Sequence, residues 1–209
     1  MRPYLFLVLS LVIISAIIIV GFPTPPDFLN EGAFVETSSV VLYGVTITFL
    51  LWLRPMKELK DTLLCAAVTL CLMLRELDFD KKFTDLGVFK GKFYKSAEIP
   101  IIQKLIGLFI ILTLLALVIT LLVRHTKPLL RGLKENHRAK YGVITAIILA
   151  FVSKAFLDGM PRKLGDFGIK TPAALIHGHG TLEEILELGI PIALLMALYF
   201  KQKERKETL

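Results

Sequence analysis

Cysteine, histidine and tryptophan are scarce in this sequence: two, four and one among 209 residues. Cys65 and Cys71 lie six residues apart in one apolar run, so they cannot face each other around a helix as a disulfide. They read as packing residues with no redox message. The histidines exclude a haem held by two imidazoles within the spans, because His125 and His137 fall on one predicted side and His177 and His179 on the other. No Gly-rich phosphate loop, G-x-S-x-G elbow or H-E-x-x-H helix occurs. Lys and Arg are absent between Pro23 and Thr37, and that gap helps to orient the chain.

What the chain has in excess is apolar sequence. Hydrophobic residues make up 55% of it and the mean hydropathy is +0.67, too apolar for a soluble domain that must also cover its own surface. A hydrocarbon layer of about 30 Å needs about 20 helical residues. Six runs reach or approach that length, near 4–22, 38–53, 59–74, 101–123, 141–157 and 182–200. They are continuous and lack the alternation of a barrel strand, which indicates helices. The expected fold class is therefore all-α, a polytopic membrane protein of about six transmembrane helices in a single integral membrane domain, 1–209. The first run follows Arg2, as a secretory signal would. It is longer than a usual signal core and no A-x-A-like site follows, so it is expected to be retained.

Charge sets the topology. With the N-terminus inside, the first loop lies outside without a basic residue, while Arg54, Lys57 and Lys60 lie inside. Arg124 to Lys140 adds six basic residues inside, and Lys201, Lys203, Arg205 and Lys206 place the C-terminus there too. The positive-inside bias predicts N-in, C-in. The loop from Arg75 to Pro100 dissents: it carries Arg75, Lys81, Lys82, Lys90, Lys92 and Lys95, yet six spans place it outside. Its Phe79, Phe83, Phe89, Phe93 and Tyr94 suit an interfacial segment between helices 3 and 4, with aromatics in the headgroup boundary and lysines on phosphates. A solvated connector is the alternative. The net charge of +7 and pI near 9.4 reflect topology rather than nucleic acid, since no soluble domain, aromatic-basic strand or helix-turn-helix is present to read bases.

Ionisable residues gather at the predicted outer ends of five helices. Glu76 and Asp78 close helix 3, Lys154 and Asp158 close helix 5, and Glu187 lies six residues past Thr181 in helix 6; these five are the candidate catalytic groups. Arg75, Lys81, Lys82 and Lys92 are candidates for holding an anionic substrate. Thr181 and Glu184 match a capping box, so Glu183 and Glu184 have a sufficient explanation as first-turn acids. Glu187 does not: about 9 Å further along the axis, a carboxylate among apolar residues must be paired, hydrated or protonated. Lys154 can pair with Asp158, snorkel to the interface, or meet Glu187 from the neighbouring helix. His179, Glu183 and Glu187 also recur at every fourth residue. On a helix extended upstream they form a stripe suited to a divalent metal such as Zn or Mn, although Gly178 and Gly180 favour a loop there.

The stretch Arg75-Glu76-Leu77-Asp78-Phe79-Asp80-Lys81-Lys82-Phe83-Thr84, with Gly87-Val88-Phe89-Lys90 and Phe93-Tyr94 after it, resembles part of an uncharacterised family of multi-pass bacterial inner-membrane proteins. The Ser153-Lys154 to Asp158-Gly159 and Glu183-Glu184 to Glu187 segments are similar to its other polar segments. The resemblance implies a bacterial inner-membrane location and carries no activity. The residues themselves suggest an enzyme, a hydrolase or transferase acting on a membrane lipid or lipid-linked envelope substrate at the extracytoplasmic face. A carboxylate there would act as general base or metal ligand. Two alternatives stand beside it, a transporter or channel subunit and a non-catalytic assembly or immunity partner. An oligomer is compatible with all three.

Overall fold

The structure, a computed structural model, describes the chain except residues 23–33, 57, 81–83, 85–86, 158, 169–172 and 208–209, and the side chains at 155, 162, 166 and 173–177. All regular structure among the described residues is helical. In chain order the helices are α1 (Arg2–Gly21), α2 (Phe34–Leu53), α3 (Leu59–Glu76), the short α4 (Gly91–Lys95), α5 (Ile101–Lys134), α6 (Arg138–Phe151), a π-helical continuation (Val152–Leu157), α7 (Met160–Asp166) and α8 (Ala173–Glu207). The apolar runs are helical: five fall on α1, α2, α3, α5 and α8, and the run 141–157 covers most of α6 and the π-helical segment after it.

Among the described residues three helices, α1, α2 and α5, are long and apolar enough to cross a membrane. Lys60, Asp61, Arg75 and Glu76 lie within α3, and α6 is 14 residues long before its winding changes. Helix α8 carries Glu183, Glu184 and Glu187 ahead of an uncharged run from Leu188 to Phe200.

The chain divides into two compact units, 1–42 with 132–209, and 43–131; α2 and α5 each run from one into the other. In the first unit α8 packs along both α6 and α1. Small residues make that close approach feasible, as in membrane helix pairs generally. The buried face of α6 is Ala139, Gly142, Ala146 and Leu149, and α8 answers with Gly189, Ala193 and Ala197, all buried. A Cβ on Gly142 would stand 2.7 Å from the Tyr4 hydroxyl and 2.8 Å from Ala197 Cβ, and one on Gly189 would strike Leu11 and Leu149. These contacts set the register: Tyr4 meets Gly142, Leu11 lies level with Leu149, and both helices run antiparallel to α8.

In the second unit the α3 start is tied to α5, where Arg124 reaches Asp61 at 2.8 Å and Glu58 at 3.2 Å. Towards the other end of α5, α4 lies against it. Phe93 is fully buried, and Gly107 is bare because Tyr94 Oη, Phe93 and Val88 occupy the space a side chain would need. Lys104 Nζ donates to the Ser96 carbonyl at 2.7 Å. The interfacial expectation for this stretch is thus corrected for Phe93 and Tyr94, which pack inward on α5 rather than outward into headgroups. Phe79 and Phe89 are exposed, and Phe83 lies outside the described residues.

Candidate functional site

Four residues beyond Leu11 and Leu149, the parallel α1 and α6 place Ser15 and Ser153 at one level, both fully buried. The Ser15 hydroxyl donates to the Leu11 carbonyl at 2.9 Å and that of Ser153 to the Ala150 carbonyl at 3.3 Å. Lys154 follows Ser153 and meets two carboxylates of α8. Its ammonium forms an ion pair with Glu187 and donates to Glu183 Oε1 at 3.4 Å. Exposure grades across the group: 29% for the Lys154 side chain, 16% for Glu183 and 5% for Glu187. One end is open and the other closed.

Local winding helps to bring Lys154 there. In an unbroken α-helix at about 100° per residue, Lys154 would stand about 140° from Leu149, on the side of the exposed Ile147 and Phe151. The π-helical segment Val152–Leu157 winds more slowly and turns Lys154 back towards the packed face. Such π segments are commonly found at functional sites. Gly159 then takes the left-handed conformation (φ 61°) and ends the helix, as its place before Pro161 predicts. Pro161 opens the short α7 instead of stopping helical structure outright.

Helix α8 differs from the sequence expectation at its start. It begins at Ala173, upstream of Gly178 and Gly180, so Thr181 is an interior residue and the capping-box reading of Glu183 and Glu184 is withdrawn. Packing overrides glycine's weak propensity, and Ile19 of α1 lies against Gly178. Further along, Pro191 sits inside α8. Lacking an N–H, it withdraws a ladder bond from the Glu187 carbonyl, the same residue that carries the buried carboxylate. That signal, proline four residues after a buried acid, was present in the sequence. The buried Ser15, Ser153 and Thr181 hydroxyls were missed, since isolated hydroxyls in apolar runs carry no pattern.

The remaining candidates are placed as follows. In the second unit Glu76 is buried at the end of α3, and Arg75 Nη2 stands 3.3 Å from its Oε1. Asp78 takes φ 44° in the turn that follows, and Lys92 is exposed on α4. Burial pushes the Tyr94 phenol above its ordinary pKa. Lys81, Lys82 and Asp158 lie outside the described residues. His179 lies within α8, two turns upstream of Glu187.

The upstream extension of α8 does align His179, Glu183 and Glu187 along the helix. Among the described residues no three His, Cys, Asp or Glu side chains are grouped to hold a metal ion. The Lys154 ammonium stands where a metal would meet Glu183 and Glu187, so both carboxylates already have a cation. Comparison with protein-family models, with curated proteins and with solved structures returns no match, so the likeness to a bacterial inner-membrane family gains no support from them.

Proposed function

We propose that this chain is a multi-pass protein of a bacterial inner membrane, with six spans, both termini in the cytoplasm and its working site at the extracytoplasmic end of α6 and α8. The observation that carries the reading is Lys154 paired with both Glu183 and Glu187 across a graded opening. A buried carboxylate held beside an ammonium is suited to proton transfer, and its open side would meet headgroups. We therefore favour an acid–base enzyme acting on a lipid or lipid-linked envelope substrate, with Glu187 as the proton-exchanging group, Lys154 as its partner and Glu183 at the mouth. Glu187→Gln removes the proton site and weakens the ion pair; it is expected to reach the membrane in near-normal amount, folded although with a lowered melting temperature, yet fail to complement a strain lacking the protein. Full complementation would overturn the assignment.

The deep burial of Glu187 supports a second reading, proton-coupled transport. A proton flux across proteoliposomes that Glu187→Gln abolishes would select it over lipid chemistry.

A further inference from the structure

At the opposite end of the first unit an open pocket of about 320 Å³ is lined by Asn136, His137, Arg138, Phe200, Lys203, Glu204 and Glu207. It mixes both charges over an aromatic floor. The Arg138 guanidinium lies 5.9 Å above the Phe200 ring, which also meets Tyr4 edge-on at 5.8 Å and Tyr199 at 5.4 Å. Glu204 is held in place: its Oε1 accepts the Ala139 N–H at 3.3 Å, and its Oε2 lies 3.6 Å from His137 Nδ1.

Depth narrows the ligand. Tyr4, which packs on Phe200, is near the start of α1, a candidate span, so the pocket stands at headgroup level with the exposed Tyr199 beside it as an aromatic-belt residue. A purely anionic headgroup would meet Arg138 and Lys203 but also face Glu204 and Glu207. A ligand bearing a phosphate and, a few ångströms away, an ammonium satisfies both sets. We propose that this pocket binds a phosphoethanolamine group, with phosphate on Arg138 and Lys203 and amine on Glu204 and Glu207. The group belongs either to phosphatidylethanolamine of the adjoining leaflet or to a soluble phosphoethanolamine.

The test is lipid retention by the full-length protein in detergent, read by native mass spectrometry after titration with phosphatidylethanolamine, phosphatidylglycerol or phosphatidylcholine of matched chains. Phosphatidylethanolamine is expected to bind tightest. The double change Lys203→Gln with Glu207→Gln, at two exposed positions of the last helical turns, is expected to weaken it about tenfold, the effect of losing a charge-assisted hydrogen bond. Arg138→Gln should do the same. Competition by soluble phosphoethanolamine at concentrations similar to the lipid would support the headgroup chemistry and make the soluble compound its source; no competition assigns the lipid. Equal or tighter retention of phosphatidylglycerol, or retention of phosphatidylethanolamine unchanged in both variants, would overturn the proposal.

Discussion

Removing Glu187 and Lys154 from their group, singly and together, gives three variants whose ranking follows from the geometry. Breaking a buried ion pair by deleting one member costs about 3–5 kcal/mol when the survivor is left buried and unpaired. Glu187→Gln leaves Lys154 with Glu183 at 3.4 Å and a side chain 29% exposed, so its cost should fall below that range, at roughly 2–3 kcal/mol. Lys154→Met is worse, because it takes away the cation that two carboxylates share, one of them only 5% exposed; about 3–5 kcal/mol is expected. The double variant retains only Glu183, at 16% exposure. It should recover much of the loss, with a coupling energy of about 1.5–3 kcal/mol. Thermal unfolding in detergent micelles, run as a double-mutant cycle, reads these differences. A drop of roughly 4–12 °C is expected for Glu187→Gln and a larger one for Lys154→Met. Additive effects, or Lys154→Met milder than Glu187→Gln, would refute the pairing as the reason these charges are tolerated.

Three further outcomes follow from other parts of the molecule. Gly142→Val should destabilise by about 1–3 kcal/mol through overpacking, since its Cβ would meet the Tyr4 hydroxyl at 2.7 Å and Ala197 Cβ at 2.8 Å; unchanged melting would deny the close α6–α8 approach. Gly107→Leu should release α4 from α5 by displacing Tyr94 and Phe93, visible as faster proteolysis near Lys92 and Lys95; an unaltered cleavage pattern would count against that packing. Cysteines placed at Ser96 and Lys206 should label from opposite sides of the membrane if the six-span topology holds, and same-side labelling would remove the one-sided site.

Helical structure and its rough extents were legible because long continuous apolar runs leave helices as the simplest way to satisfy backbone hydrogen bonds in lipid. The same reading placed Glu187 and Lys154 at compatible depths, since distance along a helix is proportional to residue number. Composition also explains why α3, with four charged residues, does not join α1, α2 and α5 as a candidate span. The start of α8 was misread, because a capping box is a local rule and the helix instead continues upstream through two glycines, with α1 packed alongside. The π-helical winding at Lys154 has no residue signature of its own, and without it Lys154 would point towards the exposed face of α6. Nor did the sequence reveal that Tyr94 and Phe93 turn inward: an aromatic at the end of a span suits the interface or a neighbour equally well, and here the neighbour is the bare surface of Gly107. Apolar runs and residue spacing were therefore determined by sequence, through solvation and helical rise. Which face each charged or aromatic side chain presents was decided only by helix packing, where small residues set the approach and local winding set the angle.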